Sequence, residues 1–420
     1  MEILLRILKD KLLRKKILIL LGFLVVFRVA AAIPTPGIDA ERLRVFFEGN
    51  QLFGLLNVFT GGAMDNLSIV MLGVGPYITA TIIMQLLTMM FPALKALYHE
   101  EGEAGRKKFM QYSRLLTVPL AMLQGYGFLT LLTRQGVIDP LPFGATLMNV
   151  VIVTAGSILL MWIGELISEY GIGNGVSIII FAGIVAGIPS AMRQALIAYD
   201  PSQIPTFIGF LVASVLIVAG VVIVTQGERP IPISYAKRVR GARMYGGIST
   251  YLPLRVNQAG VIPIIFALSI LLFPQMLIGF FEGSTNPILQ AISSALLSFL
   301  QKLWIYGALY FIFVFLFTYF YTAVTFDPDA ISNNLQKSGG FIPGMRPGRP
   351  TAQYLSYVIN RITLVGALFL GFIAVLPFVM QGITGAAFLT IGGTALLIVV
   401  SVVLELVKKI EAQLTIREYE

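Results

Sequence analysis

The stretch "NVFTGGAMDNLSIVMLGVGPYITATIIMQLL", Asn57 to Leu87, is apolar enough for a membrane, yet it carries Gly61, Gly62, Gly73, Gly75, Pro76 and one charge, Asp65. A single straight span has no use for two breaks. The glycine pair reads as a bend, and "GVGP" at 73–76 separates an upstream piece from a helix that begins near Tyr77. The upstream run "LFGLLNVF" has eight residues, whereas a crossing takes about 20. Two readings follow. One is a loop with a turn outside the membrane; the other is a short helix folded back into a protein-lined cavity, where broken backbone is tolerated at membrane depth.

Composition sets the class. Of 420 residues, 57% are hydrophobic and 12% charged, with mean hydropathy +0.85, whereas soluble domains carry about 25% charged residues. This is a polytopic membrane protein. The absence of cysteine excludes disulfides, thiolate metal sites and thiol catalysis. Ten apolar stretches read as spans: Ile17–Ile33, Leu67–Phe91, Leu115–Thr133, Thr146–Ile167, Gly175–Ala191, Phe207–Thr225, Val261–Phe281, Leu303–Phe326, Leu355–Met380 and Ala386–Val407. The first follows a basic start, "LRILKDKLLRKK", but is longer than a leader's apolar core and contains Arg28, so it reads as a span.

Placing both termini in the cytoplasm puts 24 of the 30 basic residues on that side, as the positive-inside rule requires of an even number of spans. Ten spans divide into two sets of five, and because five is odd, tandem copies would be inverted. That division, 1–197 and 198–420 with its join near "AYDPSQIP", rests on the count alone. Two long cytoplasmic loops exceed what a reversal of direction needs. Residues 226–260 hold six basic residues against the single acid Glu228 and suggest a hairpin; residues 327–353 are Pro- and Gly-rich and present Arg346 and Arg349 on turns. Their charge satisfies topology, attracts anionic lipid, or meets a soluble partner, RNA phosphates included.

Catalytic constellations are missing, and no enzyme activity, metal or cofactor is expected. The one histidine, His99, lies in polar "YHEEGEAGRKK"; "GIGNG" at 171–175 has Asn174 where aspartyl chemistry would need a carboxylate, so it reads as a turn with Asn174 or Gly175 starting the next helix. There is no phosphate-binding Gly-x-x-x-x-Gly-Lys loop. The rival reading is an ion-coupled secondary transporter of a small solute, but such proteins bury ionisable groups and the spans hold few, Arg28 and Glu165 among them.

Motifs in order along the chain, "IPTPGID" at 33–39, "FTGGAMDNLSI" at 59–69, "PYITATIIMQLL" at 76–87, "EGEAGRKK" at 101–108, "GIGNGVSIIIFAGIVAG" at 171–187, "LPLRVNQAGVIP" at 252–263, "NNLQKSGGFIPGMRPG" at 333–348 and "GGTALLIVV" at 392–400, closely resemble the SecY family, the central subunits of bacterial protein-conducting channels. The resemblance implies an all-α fold of ten transmembrane helices, two inverted halves around a central pore, and a re-entrant plug. The plug would comprise Leu55, Leu56, Asn57, Val58, Phe59, Thr60 and Gly61, continuing through Gly62, Ala63, Met64, Asp65, Asn66 and Leu67. The pore ring would be Ile78, Ile82, Ile180, Ile184, Ile265 and Ile398. The 78/82 and 180/184 pairs each share a helical face, and a ring of branched apolar side chains closes a pore by dewetting without holding a passing chain.

By the same resemblance, a lateral gate opens between the second and seventh spans. Thr79, Thr81, Gln85, Asn257 and Gln258 would hydrogen-bond across the closed seam, each bond contributing about 0.6 to 2 kcal/mol. Signal sequences and nascent polypeptides would compete for it and partition into membrane lipids. Lys237, Arg240, Arg243, Arg346 and Arg349 would bind the SecA motor or the ribosome, with SecE clamping the shell and SecG peripheral. The implied location is the bacterial cytoplasmic (inner) membrane.

Overall fold

A backbone surrounded by lipid must satisfy its own polar groups, and a single chain does so most simply as helices. The structure, a computed structural model, describes residues 10–36, 60, 63–64, 67–99, 101–134, 136–197, 204–235, 238–240, 243–245, 249–281, 287–300, 302–384 and 390–418. Ten helices among the described residues lie on the ten apolar stretches: α1 (Lys11–Ala32), α2 (Gly75–Met90), α4 (Gly102–Arg134), α5 (Phe143–Tyr170), α6 (Gly175–Ile197), α7 (Ile204–Gln226), α8 (Ile262–Phe281), α10 (Leu303–Thr325), α12 (Arg349–Thr384) and α13 (Thr390–Glu418). Three shorter ones, α3 (Pro92–His99), α9 (Pro287–Leu300) and α11 (Pro328–Lys337), lie between them. By length and composition, four of the described helical segments can cross a membrane, or five if α2 and α3, bent by 116°, are one broken span.

Helix starts follow local chemistry. The Asp10 carboxylate accepts from the Leu12 N–H at 2.8 Å, the Asp327 carboxylate caps α11 ahead of Pro328, and the Asn174 Oδ1 accepts from Val176 and Ser177 at 3.1 and 3.2 Å. Asn174 is therefore the expected cap. It lets the chain reverse from α5 to α6, and the approach is close: a Cβ at Gly175 would overlap the Gly164 carbonyl.

The helices pack in a repeated order. Helix α1 packs on α5 and α6, α2 on α4, α4 on α5, and α5 on α6; the same relations recur as α7 on α12 and α13, α8 on α10, α10 on α12, and α12 on α13. Between these two sets, α8 packs against α2 and α4 on one side and α13 against α6 on the other. A single large hydrophobic core runs through both sets.

The basic loop after α7 is a hairpin, as expected. Strand β1 (Glu228–Tyr235) pairs antiparallel with β4 (Ser249–Arg255), from Glu228 opposite Arg255 to Ser234 opposite Ser249. Strands β2 (Arg238–Arg240) and β3 (Arg243–Tyr245) pair beyond it. The sheet then takes a third strand from the other loop, β5 (Gly340–Phe341), on the free edge of β1.

Residues 67–74, assigned by hydropathy to the second stretch, are turns, and α2 begins at Gly75. This segment lies against α5 at Gly156, where a Cβ would overlap the Ile69 carbonyl. Backbone cannot yield as a flexible side chain does. Gly156→Ala is expected to cost about 1–3 kcal/mol, read as a lower unfolding midpoint of the detergent-solubilised protein; an unchanged midpoint would show that the segment does not sit there.

Candidate functional site

The site is built around the turns that precede α2. Each backbone group freed by a broken helix needs a partner, and here the first strand-like crossing supplies them. Thr35 donates both its N–H, at 2.8 Å, and its hydroxyl, at 2.7 Å, to the Leu67 carbonyl. The Ile69 N–H donates to the Ile33 carbonyl at 3.0 Å, and Ser68 N–H to Ala63 at 2.9 Å. Successive turns close Met71 on Ser68 and Gly73 on Val70. Leu67 has φ +38°, a left-handed conformation that costs a non-glycine residue about 1–3 kcal/mol. The clasp and burial offset that cost: the Leu67 side chain lies with Met64, Met71, Leu72, Phe128, Leu129 and Val153 in one buried cluster.

Of the expected plug, Thr60, Ala63, Met64 and Leu67 are described, and all four are buried. The remainder, Leu55 to Phe59, Gly61, Gly62, Asp65 and Asn66, lies outside the described residues. Ala63, Val70 and Val74 belong to the same core as the isoleucines of the expected ring.

Those six isoleucines come from four helices. Ile78 and Ile82 are on α2, Ile180 and Ile184 on α6, Ile265 on α8 and Ile398 on α13; none is more than 8% exposed, and all belong to the one core cluster. Both sides of the α8 seam and of the α13–α6 seam therefore contribute. Their side chains carry no hydrogen-bonding group.

Three of the five expected gate residues, Thr79, Thr81 and Asn257, make local bonds and not the expected bonds across a seam. The hydroxyls of Thr79 and Thr81 donate to the carbonyls of Gly75 and Tyr77 at 3.0 and 2.9 Å, the usual way for a helical threonine in an apolar setting to satisfy itself. Asn257 Nδ2 donates to the Gly260 carbonyl at 3.1 Å, and Gln258 is half-buried. The side-chain oxygens of Gln85 and Asn257 are buried without a hydrogen-bond partner.

Two features escape the sequence. Glu165 of α5 pairs with Arg114 of α4 at 2.7 Å, so the span carboxylate is partnered by a residue just outside the expected third stretch, which starts at Leu115. The clasp at Thr35 is the other; its only signal is the proline-bounded "IPTPG" before an unexplained break.

On the loop side, Ile231 and Leu254 of the sheet pack with Ile342, Leu355, Val358 and Ile359 in a separate small core. The two long loops thus form one platform on the end of α12. Arg346 is exposed on it, and its carbonyl accepts from the Thr351 hydroxyl at 2.9 Å. Arg349, expected on a turn, instead opens α12, because Pro350 at the second helical position has the fixed φ and missing N–H that a first turn accommodates. Arg240 and Arg243 are paired opposite one another in β2 and β3; Lys237 lies outside the described residues. Glu228 pairs with Arg255 of β4 at 3.3 Å within the sheet and reaches Lys408 of α13 at 3.8 Å.

This arrangement, a helical shell whose two sets meet at an apolar centre beneath a buried turn segment, has the fold of protein-conducting channels. One solved protein-conducting channel superposes with TM-score 0.64 over 96% of this chain and 93% of its own, at 20% identity. Sec61 in the canine ribosome-channel complex from the endoplasmic reticulum superposes at 0.61, with the same coverage and 20% identity. The SecY family model matches residues 68–407. Protein translocase subunit SecY of Mycobacterium bovis is 44% identical, with 97% of this chain and 96% of that protein aligned; that of Corynebacterium glutamicum is 45% identical, with 98% and 97% aligned. The chain belongs to the SecY family.

Thr35→Val retains the N–H bond to Leu67 and removes the hydroxyl one, a net loss of about 0.5–1.5 kcal/mol. The expected outcome is hydrogen exchange up to about tenfold faster at the amides of residues 67–71, with exchange in α10 and α12 unchanged. Unaltered exchange at 67–71 would remove the clasp from the account.

Proposed function

We propose that the chain is a protein-conducting channel that passes unfolded secretory polypeptides across the cytoplasmic membrane and releases transmembrane segments into lipid through a lateral gate. The observation that carries this reading is the gathering of Ile78, Ile82, Ile180, Ile184, Ile265 and Ile398 in one buried cluster in a chain of the SecY family. Their elastic, featureless surface suits a constriction that must admit any side chain and bind none. No observation favours transport of a small solute.

The repeated packing order of α1, α2, α4, α5 and α6 in α7, α8, α10, α12 and α13 supports ten spans in two inverted halves, 1–197 and 198–420, both termini being cytoplasmic by the positive-inside rule. In this reading residues 55–67 are the plug, hinged on the Thr35–Leu67 clasp. The lateral gate is the seam where α8 leaves α2 and α4. Because Thr79 and Thr81 satisfy their hydroxyls within α2, the seam is held mainly by apolar packing, which an apolar signal sequence can replace at little cost.

The loop platform is the docking site of the SecA motor or a translating ribosome, since its two loops share a core and expose Arg346 and Arg349. Sec61 has been solved in a ribosome-channel complex, which supports the ribosome as partner. SecE as a clamp and SecG as a peripheral subunit complete the assembly.

A chain without cysteine makes one engineered thiol a unique probe. Ile82→Cys, reconstituted with SecE, SecA and ATP, is expected to form a disulfide with a single cysteine in an arrested secretory polypeptide, and only when both ATP and the polypeptide are present. Active translocation without that crosslink would move the pore away from Ile82. Arg346→Glu is expected to abolish SecA-driven translocation while the protein still inserts into the membrane; wild-type translocation by this variant would overturn the docking role.

A further inference from the structure

The β1–β4 hairpin has its root where α7 ends. The Gly227 N–H donates to the Ile223 carbonyl at 2.8 Å, and the Gly227 carbonyl accepts from the Val256 N–H at 2.8 Å. Next along the ladder, Glu228 stands opposite Arg255, and the guanidinium meets the carboxylate at 3.3 Å. From Val256 the chain passes through Asn257, whose Nδ2 donates to the Gly260 carbonyl at 3.1 Å, into α8 at Ile262. The Val256 carbonyl is keyed against α12, since a Cβ at Gly366 would come within 2.6 Å of it. A displacement of the sheet is therefore passed to the start of α8 through the backbone itself.

Helix α13 is not continuous with the sheet and meets its root through an ion pair. Lys408 Nζ lies 3.8 Å from Glu228 Oε1, the oxygen that also faces Arg255. The neighbouring Lys409 is engaged within α13, by Glu405 one turn back at 2.7 Å. One carboxylate thus stands between two cations, the first on the strand that leads into α8 and the second on α13. These two helices carry Ile265 and Ile398. Glu228 is the single acid of residues 226–260, and without its charge Arg255 and Lys408 would face each other uncompensated.

We propose that Glu228 is a positioning residue of the channel, coupling α13 to the loop platform so that a load on the platform reaches Ile398 together with Ile265. That role rests on the channel reading above and adds to it a route from the docking surface to the ring. Coupling between distant sites needs an element that both of them bias, and the hairpin root is joined to one ring helix by backbone and to the other by charge. The side chains of Lys408 and Glu228 are 32% and 35% exposed, which sets the size of the effect. A pair this accessible shifts an equilibrium by about twofold to fivefold, so its loss weakens the coupling and does not unfold the platform.

The test uses the full chain reconstituted with SecE, SecA and ATP. Glu228→Gln and Lys408→Gln are each expected to slow transport of a secretory polypeptide by about twofold to fivefold, with the affinity for SecA unchanged. The double variant should be no slower than either single one. Glu228→Lys combined with Lys408→Glu again places one anion between two cations and should recover most of the parent rate, while Lys409→Gln should leave the rate as it is. Independently of transport, spin labels on Tyr251→Cys and Val407→Cys, both exposed, should give a narrow distance distribution that widens in Glu228→Gln. Losses that add in the double variant, a fall in SecA affinity matching the fall in rate, parent-like transport in both single variants, or an unwidened distribution would each overturn the coupling. A parent that transports nothing while the distribution still widens would overturn the channel reading, and not the tie between the sheet and α13.

Discussion

Where water is absent, an unpaired backbone group costs more than any single side-chain contact returns, and this constraint governs the segment before α2. The chain breaks its helical course over residues 67–74 inside a buried cluster, so every turn there must close on protein. Thr35 meets the Leu67 carbonyl twice, and Ile33 takes the Ile69 N–H. With those partners fixed, α2 can begin at Gly75 with Ile78 and Ile82 directed into the core.

The apolar centre and the loop platform impose different demands. Lipid and protein interior are equally apolar, so helices here associate through close packing and not through escape from water. Gly156 and Gly175 supply that closeness, letting α5 touch the Ile69 backbone and letting α6 touch α5. The platform, outside the apolar layer, folds as a soluble protein does. It alternates inward Ile231 and Ile233 with outward Pro230 and Pro232 along β1 and packs Ile231 on the end of α12. Glu228, bridging Arg255 and Lys408, ties this platform to α13, the helix that carries Ile398.

The amino-acid sequence by itself determined what depends on neighbours along the chain. Long apolar runs became helices, alternation with small residues in 226–260 became the β1–β4 hairpin, and Asn174 became a cap because its side chain reaches N–H groups two and three residues on. The i,i+4 isoleucine pairs were legible for the same reason. Which face each helix shows its neighbour was not: an apolar helix in lipid is apolar all round, so its facing leaves no periodic mark. Only the tertiary structure joined Thr35 to Leu67 across 32 residues, brought Arg114 to Glu165 across 51, and put β5 on the edge of β1. Each of these is a bond between groups that the chain separates and packing alone brings together.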